Sequence, residues 1–159
     1  MHRAKLAAAT FLIGLAASGS LVAAAPAAEA AASGCVAHNY DKGDVHECVR
    51  KIQKIANGIS VGAKLIGASK GSCGTLSSST IDADAVFGSV TVAKVKDFQG
   101  SSCLTADGKV GPKTWTQLCY QIGVVRMRLI EKGASNATVN TGFKAVQEAG
   151  CGSITAVWY

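Results

Sequence analysis

The sequence has little of what a metal site requires. It contains no CxxC pair and only three histidines, of which His38 and His46 are the two that follow the N-terminal leader described below. Structural and catalytic zinc sites both need several closely placed cysteine, histidine or carboxylate ligands, and no such set is evident in this chain. We therefore predict that the protein uses no metal and no cofactor.

Recognisable catalytic motifs are also missing. The chain has no GxSxG elbow, no HExxH motif and no Cys–His arrangement that would be free of disulfides. One stretch, HNYDKGDVH, concentrates residues that could supply acid and base groups: His38, Tyr40, Asp41, Asp44 and His46. Because Asp44 is placed to cap the helix that follows and His46 to lie in its first turn, we predict no catalytic residues and no enzyme.

Long apolar runs are confined to the start of the chain. Residues 1–30 combine a basic start, an apolar run over residues 6–22 and the stretch AAAPAAEA, which offers a cleavage point after Ala30. This order is typical of a secretory signal peptide, and the glycines and serines within the run disfavour a retained membrane span. We expect the remaining chain to be secreted, soluble and monomeric, with no later membrane span.

The cysteine content is high for the part of the chain that follows the leader. All six cysteines lie there: Cys35, Cys48, Cys73, Cys103, Cys119 and Cys151. An even number of cysteines in an exported protein predicts disulfides, here three, whose pairing the sequence leaves open.

Acidic residues are fewer than basic ones, ten against sixteen, so the chain carries a formal charge of +6. This charge favours anionic partners. The lysines are scattered rather than clustered in a stripe, so wall polymers or membrane surfaces outside the cell are better candidates than nucleic acid, which we do not expect as a partner.

The first predicted helix covers residues 44–57, where apolar residues recur at steps of three and four. Asp44 is its predicted N-cap, Glu47 completes a capping box, and Asn57-Gly58 is the predicted stop. Residues 59–80 are rich in glycine and serine and have no sustained period. We predict a long loop there, tied down by a disulfide, with a binding loop as the alternative.

The secondary structure of the next segment is ambiguous, whereas that of the segment after it is clear. Residues 89–100, SVTVAKVKDFQG, contain valines that suit a strand but also fit helical steps. A third segment begins at Gly111-Pro112, places Trp115 and Leu118 on one apolar face and reaches Gly123, which predicts a helix that starts at the proline and ends at that glycine.

Beyond Gly123 the pattern changes to alternation. In VVRMRLIEKG, residues 124–133, apolar and basic residues alternate as in a half-buried strand, and the tail ITAVWY also has strand propensity. Residues between them suit a strand or a short helix. We predict a small β extension over residues 124–159, packed on the same domain. The alternative is a helix continuing from 112 to 130, in which Gly123 would cost about 1 kcal/mol relative to alanine.

An internal repeat decides the ambiguous middle segment. Residues 83–91, ADAVFGSVT, align with residues 106–114, ADGKVGPKT, with Ala, Asp, Gly and Thr in register. An Asp-centred turn, an apolar residue, a bend glycine and a Thr in the first helical turn form a unit that starts a helix. The repeat therefore predicts a helix after Gly88, as after Gly111.

The motifs of this repeat resemble those of the peptidoglycan-binding domain found beside wall hydrolases and D,D-carboxypeptidases. The matching positions span residues 43–123 and are Val49, Ile52-Gln53, Ile81-Asp82, Asp84, Phe87-Gly88, Thr91, Val95, Phe98-Gln99, Leu104, Asp107-Gly108, Gly111-Pro112, Thr114-Trp115 and Leu118. The departures are Ala85 where the first turn usually has glycine, the longer loop and the added cysteines. With this resemblance, residues 31–123 are assigned to the peptidoglycan-binding-like domain. The predicted fold is mainly α, a three-helix bundle with a long disulfide-pinned loop and a small C-terminal β extension, α+β overall.

The resemblance also implies a function and a site. It implies a secreted, non-catalytic module that binds peptidoglycan in the cell wall, with a wall enzyme as a further candidate partner. The alternatives are an interaction or inhibitor protein that uses the fold as a scaffold, and a small wall hydrolase. Candidate ligand-binding residues lie at the two turns and on the third helix: Asp84, Gly88, Thr91, Asp107, Gly108, Thr114, Trp115 and Tyr120. The competing interpretation is that the aspartates fix turns and the large aromatics fill the core.

Overall fold

The computed structural model describes residues 34–68 and 73–152. In this part of the chain a 3₁₀ turn at Cys35–Ala37 precedes helices α1 (Glu47–Ile66), α2 (Ser89–Ser101), α3 (Pro112–Glu131), the single turn α4 (Asn136–Val139) and α5 (Phe143–Ala149). The predicted signal peptide and the tail ITAVWY lie outside the described residues. No described helix is both long and apolar enough to cross a bilayer.

The core forms where α1 packs against α3 and α5. Its largest members come from α1, from the turn before α2, from α2 itself and from α3: Ile52, Ile55, Phe87, Phe98, Trp115, Leu118 and Ile122. The helix α5 adds smaller side chains, among them Ala145 and Val146. Burial of this apolar surface provides the main driving force for the fold. The mainly α prediction is confirmed.

The start of α1 differs from the sequence prediction. Its N-cap is His46, whose Nδ1 accepts a hydrogen bond of 3.0 Å from the backbone N–H of Cys48. The Asp44 carboxylate instead accepts from the backbone N–H of Asp41 at 2.8 Å, so it closes the preceding turn. The predicted Asp44 cap was therefore wrong by two residues, because the Asp44 carboxylate is used in the preceding turn and the His46 imidazole accepts the capping hydrogen bond.

The end of α1 also differs, because the helix continues through Asn57-Gly58 to Ile66. Gly58 serves as a packing position: a Cβ atom there would lie 2.6 Å from the carbonyl oxygen of Thr141. Asn57 bonds both backbone groups of Ile81, with distances of 2.7 and 3.0 Å, and so fastens the following loop. The predicted stop was wrong because the apolar face, continued by Ile59 and Ala63, is buried.

The predicted strand after Gly123 is also wrong. Residues 124–131 lie in α3, whose apolar face is extended by the buried residues Val125 and Leu129. α1 and α3 approach closely here, since a Cβ at Gly62 would clash with the Val125 side chain. This burial outweighs the roughly 1 kcal/mol that a mid-helix glycine costs. Residues 136–139 and 143–149 are helical, and no strand occurs among residues 34–68 and 73–152.

Three disulfides form, each between cysteines that are consecutive in the sequence. Cys35–Cys48 joins the 3₁₀ turn to α1, Cys73–Cys103 joins the serine-rich loop to the end of α2, and Cys119–Cys151 joins α3 to the segment after α5. The predicted disulfide-pinned loop is therefore present, although it begins after Ile66 rather than at residue 59.

Candidate functional site

The first copy of the repeat is held by a buried glutamine of α1. Gln53 Nε2 donates to three acceptors, which are Asp84 Oδ1 at 2.8 Å, Thr91 Oγ1 at 3.0 Å and Val86 O at 3.1 Å. Gln53 Oε1 accepts from the backbone N–H of Ala85 at 3.1 Å. One side chain thus satisfies both ends of the turn that starts α2.

The second copy is held in the same way by Gln99 of α2. Its Nε2 donates to Asp107 Oδ1 at 2.8 Å, Lys109 O at 2.8 Å and Thr114 Oγ1 at 3.1 Å. Its Oε1 accepts from the backbone N–H of Gly108 at 2.8 Å. The duplication seen in the sequence is therefore a duplicated hydrogen-bond network, in which each helix positions the start of the next.

The aspartates of the two turns are held as carboxylates. The backbone N–H of Lys109, followed by the Gln99 side chain, lowers the pKa of Asp107 below its ordinary 3.8. The backbone N–H of Val86 and then the Gln53 side chain lower the pKa of Asp84 in the same way. Both aspartates therefore fix turns, which is the alternative to ligand binding that the sequence left open.

The N-terminal segment runs antiparallel past both turns. Tyr40 and Val110 exchange backbone hydrogen bonds of 3.0 and 2.8 Å, and Val45 forms a bridge with Val86. Trp115 Nε1 donates to the carbonyl oxygen of His38 at 3.1 Å, which fastens the same segment from the core side. The segment thus forms one wall beside the second turn.

An open cleft of about 740 Å³ lies between this segment and the second turn. Its lining residues come from the segment, from the turn and from the first turn of α3: Asn39, Tyr40, Asp41, Asp44, Asp107, Lys109, Gly111, Pro112, Lys113 and Thr114. A second depression of about 360 Å³ lies beside it and shares Asn39, Tyr40 and Asp44. None of the described residues of the serine-rich loop lines either one.

The cleft carries charges of both signs. Asp41, Asp44 and Asp107 line it together with Lys109 and Lys113. Lys109 Nζ lies 3.4 Å from Asp41 Oδ2, and both side chains are more than half exposed. Tyr40 is only 6 % exposed, and burial, with the nearby Asp44 charge, raises the pKa of its hydroxyl above 10.0. Its hydroxyl therefore stays protonated at neutral pH.

The structure separates the predicted ligand-binding residues into two groups. Asp107 and Thr114 line the cleft, and Gly108 lies buried in the same turn with a φ of 79°. Neither Gly108 nor the remaining predicted residues line the cleft. Trp115 is 1 % exposed and fills the core, so its ring offers no open face to a sugar. Asp84, Gly88 and Thr91 belong to the first turn, and Tyr120 lies on an exposed face of α3.

Sequence reasoning missed several residues of the cleft as ligand contacts, namely Asn39, Tyr40, Asp41, Asp44, Lys109 and Lys113. The polar density of HNYDKGDVH was a usable signal, but it suggested catalysis. In the structure Asp44 and His46 have the turn-closing and capping roles described above. Among residues 34–68 and 73–152, no three histidine, cysteine or acidic side chains are grouped to hold a metal ion.

A family model matches the part of the chain that contains both turns. Residues 72–118 match the model of a family described as "Putative peptidoglycan binding domain". No curated protein and no solved structure matches the chain. The matched residues include both turns, α2 and the start of α3, while Gln53 and the N-terminal wall of the cleft lie outside them. The chain therefore contains a segment, residues 72–118, that is similar to this family.

Proposed function

We propose that the protein is exported and binds peptidoglycan of the cell wall, without cleaving it, through the cleft between residues 39–44 and 107–114. The observation that carries this proposal is the position of the cleft. It opens at the second turn of the repeat, within the family-matched residues, and is lined by hydrogen-bonding groups rather than by an apolar surface alone.

The disulfides and the lack of a membrane-spanning helix among the described residues are consistent with a protein working outside the cell. We assign binding to residues 31–123. Residues 143–151 of the extension stabilise that domain, because α5 packs on α1 and α3 and Cys151 is bonded to Cys119. A monomer suffices for this function, since a single chain supplies both walls of the cleft.

Non-catalytic binding is supported by what the ionisable residues of the N-terminal wall do. Asp44 closes a turn and His46 caps α1, so both have structural partners. Asp107 accepts hydrogen bonds that hold the second turn. A hydrolase would instead need an acid and a base facing each other across the reacting bond.

Co-sedimentation of the oxidised mature protein with purified insoluble peptidoglycan tests the proposal. The test variant combines Asn39→Ala and Lys113→Ala, because neither side chain makes a hydrogen bond within the described residues and both line the cleft. The matched control combines Asn140→Ala and Lys132→Ala, two exposed residues outside the cleft. We expect the wild type and the control to sediment with the polymer and the cleft variant to stay in the supernatant.

Two results would contradict the proposal. Equal binding by the cleft variant and the control would assign sedimentation to the general positive charge of the chain. Release of soluble fragments from the polymer by the wild type would show a hydrolase.

A further inference from the structure

The two copies of the repeat present different chemistry at their surfaces. At the positions where the second turn and α3 carry Lys109 and Lys113, the first turn and α2 carry Val86 and Val90. The network of buried glutamine, aspartate and threonine is the same in both copies. The two lysines are therefore not needed to form the turn, and their placement at the cleft calls for another explanation.

The opposite wall supplies the complementary charge. Asp41 and Asp44 lie on the N-terminal segment, and Lys109 reaches across to Asp41 at 3.4 Å. An exposed ion pair of this kind contributes little to stability. A ligand that carries both an ammonium and a carboxylate can therefore break this ion pair at small cost. Its ammonium would then face Asp41 and its carboxylate would face Lys109.

Tyr40 places a further polar group at the same cleft. Its side chain is more than nine-tenths buried and lines both the cleft and the neighbouring depression. Its phenolic hydroxyl can donate a hydrogen bond. A carbonyl or carboxylate oxygen of a ligand in the cleft would be a suitable acceptor for it.

The polymer offers two kinds of surface to such a cleft. Its glycan strands present hydroxyl and acetamido groups and no ammonium, and their sugar rings pack best on open aromatic faces. Here the rings of Trp115 and Tyr40 are both buried. The stem peptides, by contrast, carry carboxylates, and the diamino residue keeps a free ammonium until cross-linking consumes it.

Resting on the proposed function, we infer that the cleft recognises the peptide stem rather than the glycan strand. It binds a free ammonium at Asp41 and Asp44 and a free carboxylate at Lys109 and Lys113, so it prefers stems that are not cross-linked. Tyr40 donates to an oxygen of the same stem.

Calorimetric titration of the oxidised mature protein tests this inference with four probes. These are an uncross-linked stem peptide, the same peptide with its side-chain amine acetylated, the same peptide with its carboxylates amidated, and chitotetraose as a glycan without peptide. We expect the unmodified peptide to bind. Each modification should weaken binding roughly tenfold, the effect of one charge-assisted hydrogen bond, and chitotetraose should not compete.

Two variants assign each charge to its side chain. Asp41→Asn should reduce the preference for the free over the acetylated peptide, since only Asp44 then remains for the ammonium. Lys113→Gln should reduce the preference for the free over the amidated peptide, since only Lys109 then remains for the carboxylate. The controls Asp82→Asn and Lys132→Gln remove the same charges at exposed positions outside the cleft and should keep both discriminations. A purely structural effect would weaken the binding of all the peptides alike and would not selectively reduce one of these two preferences.

The outcomes separate this inference from the proposed function. Sedimentation with whole peptidoglycan, together with binding of chitotetraose but not of the peptide, would overturn stem recognition and leave wall binding intact. Equal affinity for the free and the modified peptides would also overturn it. Failure to bind both the whole polymer and every probe would overturn the two proposals together.

Discussion

The buried side chain of Gln99 donates a hydrogen bond of 2.8 Å to Oδ1 of Asp107. Since Asp107 also lines the cleft, the bond connects the end of α2 to the wall of the candidate site. Gln53 and Asp84 repeat the relationship at the first turn with the same distance. A glutamine of one helix thus sets the geometry from which the next helix begins.

Replacing Gln99 with methionine tests this role. The variant keeps the length of the side chain but leaves the buried backbone N–H of Gly108 without its acceptor. We expect a loss of about 1–3 kcal/mol in the free energy of unfolding, measured with urea. Gln53→Met should cost a similar amount because its network is equivalent. Gln147→Met, at an exposed position of α5, is the control, and a loss equal to the control would contradict the prediction.

Ala85 and Gly108 occupy equivalent positions in the two turns and give a reciprocal prediction. Both have left-handed backbones, with φ of 70° and 79°. Ala85→Gly should raise the free energy of unfolding by about 0.5–1 kcal/mol, because strain is relieved and only part of the gain is lost to greater freedom of the unfolded chain. Gly108→Ala should lower it by at least about 1–2 kcal/mol, since the added Cβ would also lie 2.9 Å from Val92 Cγ1. If both substitutions change the free energy of unfolding in urea in the same direction, the left-handed backbone does not determine the preference for glycine at these positions.

Lys94 predicts a pH dependence of stability. It is buried, and its ammonium donates to Ser60 Oγ at 2.6 Å and to the carbonyl oxygens of Ser79 at 2.7 Å and Ser77 at 3.2 Å, which attaches the serine-rich loop to α1 and α2. Burial lowers its pKa from 10.5, although the Asp97 charge opposes this. Between the lowered folded-state pKa and 10.5, the unfolded chain binds more protons, so this contribution to stability rises with pH across that window.

The Lys94→Met variant should lose this rise when urea unfolding is compared at about pH 7 and about pH 10. The control Lys132→Met, at an exposed site, should keep it. Tyr40 acts in the opposite direction, because its raised pKa makes stability fall as pH rises above 10.0. Measurements should therefore stop near that value. If the free energy of unfolding of Lys94→Met rises with pH as much as that of the wild type, the prediction is wrong.

The disulfides Cys119–Cys151 and Cys73–Cys103 form a matched pair, since they close segments with separations of 32 and 30 residues. Chain entropy alone predicts nearly the same loss, about 3–4 kcal/mol, when either is replaced by two alanines. The first is fully buried between α3 and the segment after α5, whereas the cysteines of the second are exposed. We therefore expect the Cys119/Cys151 double variant to be the less stable of the two in urea. Equal losses would mean that packing around Cys119–Cys151 contributes nothing to stability beyond the chain entropy that both disulfides remove.

The middle of the chain was predictable because its signals are local. The repeat over residues 83–91 and 106–114 correctly placed helix starts at Ser89 and Pro112, since Asp turns, bend glycines and proline act within a few residues. The strained Ala85 could also be anticipated from its alignment with Gly108. The cleft was partly predictable, as Asp107 and Thr114 lie in it, but their alignment partners Asp84 and Thr91 do not.

The sequence by itself determined where α2 and α3 begin, that the middle of the chain is a duplicated turn and helix, and that six cysteines form disulfides. These depend on short-range stereochemistry and composition. Tertiary structure alone decided that α1 passes Gly58 and α3 passes Gly123, because packing against distant segments outweighs a local stop signal. It also decided which turn forms a cleft, because an opposing wall at residues 39–44 is supplied by a part of the chain far away in sequence.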